Sequence, residues 1–149
     1  LNLLNAKTKD MKYGSLLLEK KEYVYLKRIL NISGYAEDFE TQKSLQRFSD
    51  ELKMAQILNE EDMPKDIIRF NSKIMLHSES GWEKVIQLVA PADKDSKQDK
   101  ISILTPMGTS LLGYSEGDMF EWDFPFGKQK IKIGTVTQDT SQKKIEVPI

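Results

Sequence analysis

The 149-residue chain contains no cysteine and a single histidine, His77. Without thiolates it has neither a disulfide framework nor a cysteine-ligated zinc site, and one imidazole with no second histidine at ligand spacing supports no metal site. Long hydrophobic runs are also missing. None approaches the ~18–20 residues a membrane-spanning helix needs, so no membrane role is expected. Charge of one sign is lacking too: 22 Lys and Arg stand against 23 Asp and Glu, for a formal net charge of −1. No broad positive field is left to neutralise phosphates, and any nucleic-acid contact is expected to be indirect, through a protein partner. The opening LNLLNAKTKDMKYG has no basic-then-apolar-then-small leader pattern, and with the absence of cysteine this reads as cytoplasmic. There is no Ser-His-Asp set, glycine-rich phosphate loop or G-x-G-x-x-G. No catalytic residue and no cofactor are therefore expected, and the chain is not read as an enzyme.

What is present suits a globular protein: 39% hydrophobic and 30% charged residues, enough for one ordinary domain or a small core with an appended helical element. Residues 1–15 show no sustained periodicity and read as a flexible lead-in. From Lys20 to Ile32, Tyr23, Leu26 and Leu30 fall on one helical face, and Ser33-Gly34 ends the run. After a loop from Tyr35 to Glu40, the spacing of Leu45, Phe48, Leu52 and Ala55 predicts a second helix from Thr41 to Asn59, antiparallel to the first. The acidic Asn59-Glu60-Glu61-Asp62-Met63-Pro64 closes this hairpin, because Pro64 disfavours helix at Met63. Three units follow: the lead-in 1–15, a helical hairpin or short coiled coil 16–63, and a β-rich domain 64–149.

In that last unit Ile67–Leu76 and Trp82–Val89 read as strands around the polar turn His77-Ser78-Glu79-Ser80-Gly81. Pro91–Lys100 is a solvated loop. Strands then follow at Ile101, at Met119 and from Gln129 to Val136. The fold class expected is α+β, with an antiparallel sheet crossed by one short helix. Trp122-Asp123-Phe124-Pro125-Phe126-Gly127 is a turn whose aromatics could meet a partner, although strand aromatics more often pack on their own sheet.

The most informative stretch is Ile101–Asp118, ISILTPMGTSLLGYSEGD. Ile101, Ile103 and Leu104 suit a buried strand, Thr105 offers an N-cap oxygen, and Pro106 sits at the first helical position, where its missing N–H costs nothing. Leu111 and Leu112 give the short helix an apolar side, and Gly113 can end it in a left-handed conformation. Thr105-Pro106-Met107-Gly108-Thr109-Ser110-Leu111-Leu112-Gly113 resembles the Ser-Pro-aliphatic-Gly-x-Ala-Leu-Leu-Gly pattern of the GreA/GreB transcription elongation factors. Thr105 and Ser110 depart from it conservatively. The segment from Glu60 to Ser72, with Glu51–Ala55 before it, is similar to the short Rnk branch of that family. The resemblance covers roughly Leu16 to Val136.

It implies an FKBP-like C-terminal domain and RNA polymerase as partner, gripped at the rim of its secondary channel by the strand-to-helix corner: Thr105, Pro106, Met107, Gly108 and Leu111. It also draws attention to the tip acids Glu37, Asp38 and Glu40, since Gre factors carry two carboxylates there that help hold magnesium for transcript cleavage. A helix of about 13 residues rises only roughly 20 Å, and GYAEDFE does not reproduce the Gre tip. The acids are therefore read as a solvated turn, and the expected role is a monomeric regulator that competes with Gre factors without stimulating cleavage. Two alternatives stand beside it: a true cleavage-stimulating elongation factor using those acids, and an FKBP-like module binding a peptide or small molecule.

Overall fold

The computed structural model describes residues 11–32 and 39–139. Its elements are β1 (Leu17–Glu19), α1 (Lys20–Ile32), α2 (Phe39–Lys53), β2 (Gln56–Leu58), β3 (Lys73–Ser78), β4 (Glu83–Val89), β5 (Lys100–Ser102), α3 (Pro106–Leu111), β6 (Met119–Phe124) and β7 (Gly127–Thr137), with single 3-10 turns between some of them. The class is α+β: two longer helices precede a five-stranded sheet of order β5-β4-β3-β7-β6, and β1 and β2 form a separate parallel pair.

The first helix forms where the apolar spacing puts it, and the second starts at Phe39, two residues before its expected start at Thr41. The Glu19 carboxylate accepts the free N–H groups of Lys21 and Glu22 at 3.0 and 3.2 Å, which caps α1. Leu26 is then fully buried, whereas Lys20, Lys21, Lys27 and Arg28 face solvent. On α2, Leu45, Phe48 and Leu52 are buried one turn apart. The helix stops at Lys53 rather than continuing to Asn59, because β2 has a better use for its backbone: the Gln56 N–H donates to the Leu16 carbonyl at 2.9 Å, and residues 56–58 pair with 17–19. The chain's entry to α1 and its exit from α2 are thereby tied side by side.

The sheet departs from expectation in several places: Trp122–Phe124, expected in a turn, belong to β6, and Ile103 and Leu104, expected in a strand, follow the end of β5 at Ser102. The sheet is mixed rather than antiparallel, since β5 runs parallel to β4. The connection through Pro91–Asp93 and Ser96–Gln98 carries the chain back before it pairs, where a tight hairpin would have reversed it. The strand expected over Ile67–Leu76 starts only at Lys73, because Asn71 adopts φ 68° and breaks the extended run, leaving Ile67 in an isolated bridge to Ser115. His77 lies in β3 instead of the turn, opposite Glu83.

The lead-in is packed from Met11 onward. Met11 is buried, and Lys12 and Tyr13 both bond to Asp66. Residues 1–10 lie outside the described part. One hydrophobic cluster joins the elements: Leu26, Phe48 and Leu52 from the helices, Ile68, Leu111 and Leu112 from the corner region, and Ile74, Leu76, Ile86, Leu88, Ile131 and Ile133 from one face of the sheet. Each side chain fully buried this way contributes ~1.5–3 kcal/mol, so the root of the helix pair is anchored through its core residues.

Candidate docking site

The corner between β5 and α3 is held by hydrogen bonds that its own sequence supplies. The Ser102 carbonyl accepts from both the N–H and the hydroxyl of Thr105, at 3.1 and 2.8 Å. The Thr105 Oγ1 in turn accepts the Gly108 N–H at 3.0 Å, and Pro106 occupies the first helical position. Thr105 is thus an N-cap in both directions, satisfying one free helical N–H and locking the strand end. A hydroxyl bond from Thr109 to the Pro106 carbonyl, 3.0 Å, tightens the first turn.

Two glycines let this short helix sit close to its neighbours. A Cβ at Gly108 would lie 2.2 Å from the Ser102 carbonyl oxygen, so only glycine allows α3 to touch the β5 backbone. At Gly113 the chain takes φ 89°, the left-handed turn that ends a helix, and a Cβ there would come 2.1 Å from the Leu16 side chain.

Of the five residues expected to form the polymerase-gripping surface, Thr105 is exposed and Pro106 and Met107 are half-buried. Gly108 is buried and Leu111 is fully so. Leu111 is therefore corrected from surface to core: it points from α3 into the shared cluster, and Gly108 shapes the corner from beneath. The tip acids Glu37 and Asp38 lie outside the described residues, and Glu40 is exposed in the first turn of α2. The His77 Nδ1 lies 2.8 Å from a Glu83 carboxylate oxygen across the strand pair.

Two polar clusters join residues too far apart in the chain for local sequence patterns to mark. Arg69 bonds the Glu22 carboxylate through Nε and one terminal nitrogen, at 3.1 and 2.5 Å, and Glu60 through both terminal nitrogens, at 2.7 and 2.9 Å. Glu22 is buried on α1, Arg69 follows Ile68, and Glu60 follows β2, so one guanidinium ties the helix root to the β-rich part. Burial pushes the Glu22 carboxyl above its ordinary range, against the pull of Arg69. Burial would lower the affinity of Arg69 for its proton, but the bonds to Glu60 and Glu22 outweigh it and the net direction is upward. The only sequence signal was a lone arginine inside Ile67-Ile68-Arg69-Phe70.

In the second cluster the Asp66 carboxylate accepts from Lys12 Nζ at 2.5 Å and from the Tyr13 hydroxyl at 2.8 Å. Burial alone would raise Asp66; these two donors overcome it and hold the carboxyl below the usual range. One aromatic cluster gathers where β6 turns into β7. Trp82 meets Phe124 edge-on at 5.8 Å, Phe124 stacks on Phe126 at 5.0 Å, and Phe126 is 68% exposed.

Comparison with known proteins identifies the family. Residues 63–138 match the family model described as transcription elongation factor, GreA/GreB, C-terminal. The regulator of nucleoside diphosphate kinase of Escherichia coli K12 is 36% identical over 78 residues, covering 52% of this chain and 57% of that protein. The transcription elongation factor GreA of Clostridium acetobutylicum is 32% identical over 83 residues, covering 55% and 52%. This chain thus spans little more than half the length of these relatives. A solved structure of a prokaryotic GreA/GreB elongation factor from Nitrosomonas europaea superposes with a TM-score of 0.72 at 29% identity, over 83% of this chain and 98% of that one. That coverage is too large to come from residues 63–138 alone, so the likeness extends into the helices. No helix among the described residues is long and apolar enough to cross a membrane.

Proposed function

The chain belongs to the GreA/GreB C-terminal family, and from that premise we propose that it is an RNA-polymerase-binding regulator of transcription elongation. It docks at the rim of the secondary channel through Thr105, Pro106 and Met107, with Gly108 and Leu111 holding that surface in shape from below. Residues 64–149 act as an FKBP-like docking domain, and residues 16–63 as a short coiled-coil arm standing at the channel entrance. The protein works as a monomer in the cytoplasm and meets nucleic acid only within the transcription complex.

The observation that carries this is the exposed, doubly capped Thr105 corner inside the family-matched segment. A loop fixed by its own hydrogen bonds presents the same surface before and after binding, which lowers the ordering cost of association. The arm argues for competition rather than catalysis. Helices of 13 and 15 residues rise roughly 20 Å, so the protein occupies the entrance while its tip acids stay short of a distant active centre. It regulates by excluding longer factors and does not stimulate transcript cleavage.

The test is retention of core polymerase by the purified chain, and its displacement of a long-hairpin Gre factor. Met107→Glu, checked for native folding by circular dichroism, should weaken retention about tenfold or more, as the loss of a central contact does. Full binding by that variant would reject the surface, and no binding by the natural chain would reject the function. Faster shortening of backtracked transcripts on adding the natural chain would replace the competitor reading with the cleavage-stimulating one.

A further inference from the structure

The corner leaves one large feature of the sheet unused. β6 is an edge strand, paired on one side with β7. The 2.8 Å bond from the Ile133 N–H to the Asp118 carbonyl sets the phase of that ladder. Alternation then turns the amide groups of Met119, Glu121 and Asp123 away from β7, and among the described residues they have no backbone partner. The two faces of the strand differ sharply. Phe120, Trp122 and Phe124 lie half-buried on the core side, while Met119, Glu121 and Asp123 are exposed on the other. Neither acid is ion-paired among the described residues.

We infer that β6 is a docking edge for an extended segment of another protein in which basic and apolar residues alternate. Such a segment would add a sixth strand, completing the outward hydrogen bonds, setting its basic side chains beside Glu121 and Asp123, and covering the half-exposed aromatics with its apolar ones. β7 already shows the pattern that β6 accepts: Lys128, Lys130 and Lys132 stand opposite Asp123, Glu121 and Met119, while Ile131 packs opposite Phe120. Charge also decides against a second copy of this chain. Antiparallel pairing of two β6 edges would crowd Glu121 and Asp123 of one copy against those of the other, and like charges facing across a ladder are destabilising. The edge lies across the sheet from β5, where the Thr105 corner begins, so its occupant is separate from whatever the corner grips.

The probe is a short synthetic peptide alternating lysine and valine, titrated onto the full chain with tryptophan fluorescence and calorimetry as readouts. It should bind with a change in Trp122 emission. A glutamate–valine peptide should bind roughly tenfold more weakly or worse, as should the lysine–valine peptide against an Asp123→Lys and Glu121→Lys double variant checked for native folding. N-methylation of the peptide amides that face β6 should abolish binding, whereas Met107→Glu at the corner should leave it unchanged. Failure of the lysine–valine peptide to bind, equal binding of the acidic or N-methylated peptide, or concentration-dependent dimerisation of the chain blocked by the peptide would each overturn the inference.

Discussion

Replacing Gly108 by alanine should destabilise the protein even though alanine is the better helix former. In an exposed helix interior the exchange stabilises by about 1 kcal/mol. Here the new Cβ would sit 2.2 Å from the Ser102 carbonyl oxygen and 3.0 Å from the Ile103 Cα, whereas ordinary contact begins at 3.4 Å. Both obstacles are backbone, so no side chain can rotate away, and the start of α3 must retreat by roughly an ångström. That retreat works against the bonds from Thr105 to Ser102 and against Leu111 and Leu112, both fully buried on the same helix and corner. Overpacking typically costs 1–3 kcal/mol, and a loosened N-cap adds about 1. Set against the gain in propensity, the net loss should be about 2 kcal/mol, or roughly 4–8 °C in Tm for a chain of this size. Urea unfolding followed by circular dichroism measures it as a lower midpoint at unchanged slope. Ser110→Ala, half-buried in the same helix, should stay within about 0.5 kcal/mol of the natural chain. A Gly108→Ala midpoint equal to or above the natural one would refute the claim that α3 rests on the β5 backbone.

Three further outcomes follow from the polar clusters and the cap. Thr105→Ala removes the oxygen that accepts the Gly108 N–H and should cost about 1 kcal/mol in thermal or urea unfolding. Arg69→Met strands the buried Glu22 carboxylate and should cost about 3–5 kcal/mol, while Arg69→Met combined with Glu22→Leu should recover much of it; a double-mutant cycle by urea titration shows whether the two are coupled. Asp66 has a folded-state pKa below its unfolded value, so its contribution is present above the ordinary carboxylate range and fades as pH falls through the lowered value. Asp66→Asn should accordingly lie furthest below the natural chain near neutral pH and converge with it in acid, as read from stability measured across pH.

The features visible in the sequence were those carried by neighbouring residues. The first helix was readable because Tyr23, Leu26 and Leu30 repeat at helical spacing, and the corner because Thr105, Pro106 and Gly113 each do a local job. What could not be read depended on residues far apart in the chain. The second helix ends at Lys53 because a strand near residue 17 competes for residues 56–58, and helical periodicity holds no record of that competitor. The parallel pairing of β5 depends on where a turn-rich connection returns, which composition does not fix. Leu111 belonged to a surface motif by sequence and to the core by structure, since a six-residue helix turns its apolar side inward whatever its first turn grips. Arg69 meets Glu22 across 47 positions, beyond the reach of any local pattern.

The pairing of β1 with β2 also matters for what the helices can accommodate. Chain entry to the helices and chain exit from them lie side by side, stitched as Leu17 to Gln56, Leu18 to Ile57 and Glu19 to Leu58. Anything inserted between those stitches in matched whole turns would extend the far end while leaving the stitches, and the sheet behind them, undisturbed. The helical pair is thus a separable extension rooted on the β1–β2 seam, and its length is a property that can change without rebuilding the sheet.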